Sequence, residues 1–141
     1  MDLNFGTKYK DFKKEIKEFC KKYKGVHFID SSKVPLSDSF KSGEIKMTRS
    51  DWQKKLIEKG YFARSIPVAY GGYGGESDIV KSRIIAEEFA KAKIPPPMGG
   101  QGIDMLVPTL LELGTEEQKQ KYIKPTLHGE IIWCQGYSEP N

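Results

Sequence analysis

The residues best suited to chemistry form one run near the end of the 141-residue chain: Gly129-Glu130-Ile131-Ile132-Trp133-Cys134-Gln135-Gly136-Tyr137-Ser138-Glu139-Pro140-Asn141. Ile131, Ile132 and Trp133 favour a strand. Gln135, Tyr137, Ser138 and Glu139 then offer hydrogen-bond donors and acceptors, and Pro140 blocks further regular pairing. That pattern describes one lip of a binding site rather than an acid–base centre. Elsewhere no nucleophile–base pair and no metal-ligand set is evident, so no catalytic and no metal residue is assigned. Glu87 and Glu88 are adjacent carboxylates, but neighbours on a helix point about 100° apart and cannot converge. Tyr70-Gly71-Gly72-Tyr73-Gly74-Gly75 invites a phosphate-loop reading. A dinucleotide loop should follow a strand in a βαβ unit, and a P-loop should end in Gly-Lys-Ser/Thr. Neither is present, so these glycines are expected to serve a turn between helices.

The elements that must position this run read as helices. Tyr9, Phe12, Ile16, Phe19 and Tyr23 recur at spacings of three and four, predicting a helix over 8–23 with one apolar face. Lys10, Lys13, Lys14, Lys17, Lys21 and Lys22 cover its other side. A solvated face is the plain reading of these lysines, and a basic docking surface is the alternative. Residues 26–47 lack a helical period, apart from a short extended piece at Val26–Ile29. Ser50-Asp51-Trp52-Gln53 has the form of a capping box opening a helix over 51–59, closed by Gly60. Ser77 is the expected cap of a helix running to Ala92. Met98–Leu113 reads as a strongly apolar fourth helix that Pro108 should kink. Thr115-Glu116-Glu117-Gln118 is a second capping box, opening a fifth helix that Pro125 should stop. A short strand follows.

Composition narrows the class. Hydrophobic residues make up 38% and charged residues 30%, which suits a soluble single domain with a real core. The net charge of +4 is mild, and lysines alternate with glutamates, so a nucleic-acid protein is not indicated. Cys20 and Cys134 lack metal-like spacing and suggest a reducing compartment, hence the cytoplasm. No apolar run reaches about 18 residues, so no membrane span is expected. The N-terminus lacks the apolar core of a signal peptide.

Trp133-Cys134-Gln135-Gly136-Tyr137-Ser138-Glu139-Pro140-Asn141 resembles the opening of the flavin-binding motif of the acyl-CoA dehydrogenase family, which there continues into Ala-Gly-Ser-Asp. Pro67–Gly75, the Glu87-Glu88 pair, and Gly114–Tyr122 ahead of Gly129-Glu130 match further family landmarks in the same order. Together they cover roughly residues 8–141. The spelling is most similar to the branch containing large subunits of hetero-oligomeric dehydrogenases. The resemblance implies a mainly α fold: an up-down helical bundle of about five helices with one truncated terminal β-strand. It implies an N-terminal helical domain over 1–129 and the first strand of a flavin-binding β-domain over 130–141. It also implies FAD as cofactor, an acyl-CoA thioester as substrate, and an oligomer or partner subunit in the complete enzyme. Gln135, Tyr137 and Ser138 would meet the flavin, and Met98, Gln101 and Met105 would face the acyl chain. The family's base is a glutamate of its C-terminal domain, so this chain alone is expected to be catalytically incomplete. A non-enzymatic helical interaction module, or a small acyl-binding bundle, would fit the same residues without the resemblance.

Overall fold

The computed structural model describes residues 7–29 and 45–136, and these are mainly helical. The elements are α1 (Thr7–Lys22), β1 (His27–Phe28), β2 (Lys46–Met47), α2 (Arg49–Glu58), α3 (Ile79–Ala92), α4 (Val107–Leu113) and α5 (Glu116–Leu127). A 3-10 turn at Val68–Tyr70 precedes α3, and a π-helical turn at Gly102–Leu106 leads into α4. Among the described residues, no helix is long and apolar enough to cross a membrane. The chain forms two compact units, residues 1–48 with 77–96 and residues 49–76 with 97–141.

In the first unit, α1 and α3 pack side by side and run parallel. Tyr9 donates to Asp78 at 3.4 Å, the Lys81 ammonium sits 5.0 Å from the centre of the Phe12 ring, and Phe19 stacks on Phe89 with ring centres 5.9 Å apart. The apolar stripe predicted for α1 accounts for this packing: Ile16, Phe19, Cys20 and Tyr23 are buried with Ile84, Ile85 and Phe89. The cap of α3 is Asp78, one residue beyond the expected Ser77, and its carboxylate accepts from Lys81 N at 2.9 Å. Glu88 is 5% exposed and meets Lys91 at 3.2 Å and Lys13 of α1 at 3.7 Å. Glu87 pairs instead with Arg83 at 2.8 Å. The extended piece expected near Phe28 is present, and it pairs in parallel with Lys46–Met47.

In the second unit, Ile57, Val107, Ile123 and Leu127 form a buried cluster, with Phe62, Ile66 and Leu110 packed against it. The capping box expected at Ser50 does not form. The α2 helix already includes Arg49 and Ser50, and the buried Ser50 hydroxyl has no hydrogen-bond partner. Gln53, its supposed partner, is fully buried and engaged elsewhere. The box at Thr115 forms as expected: Gln118 N donates to Thr115 Oγ1 at 3.2 Å, and Thr115 N donates to Gln118 Oε1 at 2.9 Å. Thr115→Ala should therefore lower stability by about 1 kcal/mol, with Thr115→Ser recovering most of it in urea unfolding. An unchanged midpoint for the alanine variant would contradict this.

The glycine loop is closed on itself. The amides of Gly71, Gly72, Tyr73, Gly74 and Gly75 donate to carbonyls of Val68, Pro67, Ala63, Ile66 and Arg64, at 2.8 to 3.1 Å. No amide in the run is left to cradle a phosphate. Gly72 lies so close to the Ile66 carbonyl that a Cβ would stand 2.2 Å from its oxygen.

Two proline expectations are overturned. Pro108 does not sit inside one continuous α-helix over 98–113. The π-helical turn ends just before it, with Val107 N bonded to Gly102 O, and the proline occupies the first turn of α4, where its missing N–H costs little. Pro125 does not stop α5, which runs on to Leu127. Continuing the helix buries Thr126 and Leu127, and the Pro125 carbonyl accepts from Glu130 N at 2.9 Å. The fourth helical segment is also not covered all round: Met105 is 55% and Leu113 78% exposed. Finally, residues 131–136 form no strand, because among the described residues they have no ladder partner.

Candidate functional site

Trp133 organises the site, all of which lies in the second unit. Its indole N–H donates to Thr126 Oγ1 at 2.8 Å, and Thr126 in turn donates to Tyr122 O at 2.6 Å. The Tyr122 ring meets the indole edge-on, with centres 5.6 Å apart. This anchor on α5 exists because the helix continues past Pro125. Gly102 lies against the indole, and a Cβ there would stand 2.5 Å from Trp133 Cδ1. The π-helical turn is held from its start by Asp104, which accepts from Gly100 N at 2.8 Å.

Two clefts flank Trp133. One, of about 290 Å³, is lined by Met98, the Gly99–Gly102 turn, Gly129 and Ile131. The other, of about 250 Å³, is lined by Gln101, Met105, Leu106, Thr109, Cys134 and Gln135. Gln101 Nε2 donates to Gln135 Oε1 at 3.3 Å across the second cleft. Thus Gln101, Met105 and Gln135 share one cleft, while Met98 lies in its neighbour. Tyr137 and Ser138 lie outside the described residues. The second cleft joins an apolar surface to two carboxamides and carries no ionised side chain. Such a lining can bind and orient a neutral, flat or extended group.

Gln53 does not cap α2 but ties the Met98 wall to the helices. Its Nε2 donates to Leu127 O at 3.1 Å, and its Oε1 accepts from Met98 N at 2.8 Å. Beside it, Lys54 meets Glu130 at 3.0 Å, and His128 Nδ1 lies 3.5 Å from the same carboxylate. The hydrogen bond from Lys54 holds the Glu130 carboxyl below its usual range. Burial pushes the His128 imidazole down, so it favours the neutral form. The Glu130 ion pair therefore persists above the ordinary carboxylate range and is lost as pH falls through the depressed one. Among the described residues, no group of three or more His, Cys, Asp or Glu side chains could hold a metal.

The family model "Acyl-CoA dehydrogenase, N-terminal domain" matches residues 8–130. The chain is 37% identical over 93 residues to the acyl-CoA dehydrogenase IpdE1 of Mycolicibacterium smegmatis, covering 66% of this chain and 23% of that protein. It is 37% identical over 94 residues to a short-chain-specific acyl-CoA dehydrogenase of Clostridium acetobutylicum, covering 62% of this chain and 23% of that protein. A glutaryl-CoA dehydrogenase of Desulfococcus multivorans aligns over 145 positions at 25% identity, spanning all of this chain and 34% of its own length. The chain thus spans about a quarter to a third of these relatives. No solved structure matches it.

Proposed function

Because the chain belongs to the acyl-CoA dehydrogenase family through its N-terminal domain, we propose that it forms the helical wall of a flavin-dependent enzyme that introduces a double bond α,β to an acyl-CoA thioester. In this reading residues 1–129 are the helical domain and residues 130–141 open the flavin-binding domain. Gln101 and Met105 contact the acyl chain, Met98 supports the neighbouring wall, and Gln135, Tyr137 and Ser138 form the flavin lip. The observation that carries it is the Gln101–Gln135 contact, which joins a residue of the acyl-chain set to one of the flavin set over one apolar cleft. FAD fits what lines that cleft: an indole and a thioether suit a flat ring, and two neutral carboxamides suit a hydrogen-bonding edge. When bound, the flavin supplies the acceptor for the β-hydride. The chain's own residues bind, orient and exclude water, and no described residue is given the role of base. The complete protein is proposed to act as an oligomer or with a partner subunit, in the cytoplasm.

The test uses the complete protein. It should purify yellow, and its flavin band should bleach on addition of an acyl-CoA under anaerobic conditions. Gln101→Leu and Gln135→Leu should each slow bleaching. A complete protein that neither binds FAD nor is bleached by short-, medium- or branched-chain acyl-CoA would overturn the reading. Acyl-CoA binding without flavin would favour an acyl-binding bundle instead.

A further inference from the structure

The first unit carries a further cleft whose chemistry is unlike that of the two at Trp133. It measures about 500 Å³ and lies between the C-terminal ends of α1 and α3. Its rim is formed by Lys17, Lys21 and Lys24 from α1 and the turn after it, and by Lys91 and Lys93 from the end of α3. All five side chains are exposed. Cys20 and Ala92 contribute apolar floor, and Glu88 is its one carboxylate. Burial, reinforced by the Glu88 charge, pushes the Cys20 thiol up, so that floor stays neutral.

Helix ends explain only part of this charge. Because α1 and α3 run parallel, both C-termini lie at the same end, and lysines there offset the helix dipoles. Two dipole ends amount to about one negative charge in all. Five lysines exceed that, and Glu88 is already met by Lys91 and by Lys13. Among the described residues, Lys17, Lys21, Lys24 and Lys93 have no carboxylate within ion-pair distance. Lys17 and Lys21 also stand one turn apart, a like-charge spacing that costs a helix a few tenths of a kcal/mol. Five lysines against one carboxylate give this cleft an excess equal to the net charge of the whole chain, +4. Its volume falls in the range of small-molecule sites, and ammonium groups on flexible stems act as point-charge partners for phosphate.

We propose that this cleft binds a polyphosphate group, with the lysines of α1 and α3 closing on it from two sides. The lysine run of the sequence then divides. Lys10 and Lys14 belong to the solvated face, and Lys17 and Lys21, joined by Lys24 from the turn after α1, to a site.

The test titrates inorganic tripolyphosphate into the 141-residue chain by calorimetry at low and at physiological salt. One saturable site is expected, weakening as salt rises. Lys17→Gln/Lys21→Gln should weaken it at least tenfold. Lys10→Gln/Lys14→Gln removes the same charge at the same spacing two turns earlier on α1, and should weaken it less than twofold. Circular dichroism confirms that both variants fold. Parallel titrations with ATP and with phosphatidylinositol bisphosphate vesicles identify the source: tighter binding of either one supports the shared chemistry and assigns it to a soluble nucleotide or to a lipid headgroup. Absence of a saturable isotherm at low salt, or equal weakening in both variants, would overturn the proposal.

Discussion

Gln53→Leu is expected to destabilise the chain by about 2–4 kcal/mol in chemical unfolding, with no change in helix propensity to blame. Leucine is close to glutamine in volume, so the core is not emptied. What is lost is a donor to Leu127 O and an acceptor for Met98 N, both held by a carboxamide with no exposed surface. Each buried group left unpaired costs about 1–3 kcal/mol. Gln53→Glu separates hydrogen bonding from shape. Its neutral acid can still donate to Leu127 O and accept from Met98 N, whereas its carboxylate can only accept. Burial raises its folded-state pKa, so stability should be near that of the parent below the ordinary carboxylate range and should fall as pH rises through the raised value. A parent-like unfolding midpoint for Gln53→Leu, or a flat pH response for Gln53→Glu, would show that these bonds do not hold the Met98 wall.

Gln53 also marks the boundary of what the sequence made legible. Periodicity located α1 because one stripe, from Ile16 to Tyr23, has to be buried, and burial is what a period of 3.6 reports. Thr115-x-x-Gln118 was readable because both halves of its reciprocal bond lie within four residues. Ser50-x-x-Gln53 has the same spelling and fails, because Gln53 finds two better partners 45 and 74 residues away. A local pattern cannot register a competitor that distant. The prolines failed for a related reason. Pro108 is accommodated by a π-helical turn and Pro125 by the burial of the two residues after it, and both are tertiary effects.

The site was legible in its parts and not in its joint. Gln101, Met105 and Gln135 were named for different ligands, and the contact that brings Gln101 to Gln135 spans 34 residues. Trp133 is by type a strand former, yet it acts as the partition between two clefts through one hydrogen bond and one ring contact to α5. An N–H in a half-buried indole needs an acceptor, and Thr126, buried one helical turn after Tyr122, was the available signal. Ile131, Ile132 and Trp133 favour a strand but make none here, since strands exist only in pairs and no partner stands beside them among the described residues.

Gly102→Val should release Trp133 from this partition and lower stability by about 2–3 kcal/mol. The direction is not set by the backbone: Gly102 lies in a helical turn, where valine is intrinsically a few tenths of a kcal/mol better than glycine. The loss must come from contact. A Cβ would stand 2.5 Å from Trp133 Cδ1 and 3.0 Å from Thr126 Cγ2, and valine adds two methyl groups to that position. Thr126 is buried, so the indole is the side that yields, giving up its bond to Thr126 and its edge contact with Tyr122. Tryptophan emission should shift to the red and become accessible to acrylamide. Trp52, the other tryptophan, is 1% exposed and supplies an unchanged background. Combining the substitution with Trp133→Ala provides the decisive comparison. With the indole gone, Gly102→Val should cost little or should stabilise slightly, so the pair should be strongly non-additive. Additive losses would mean that Gly102 is required for some reason other than the approach of Trp133, and the partition between the clefts would need another cause.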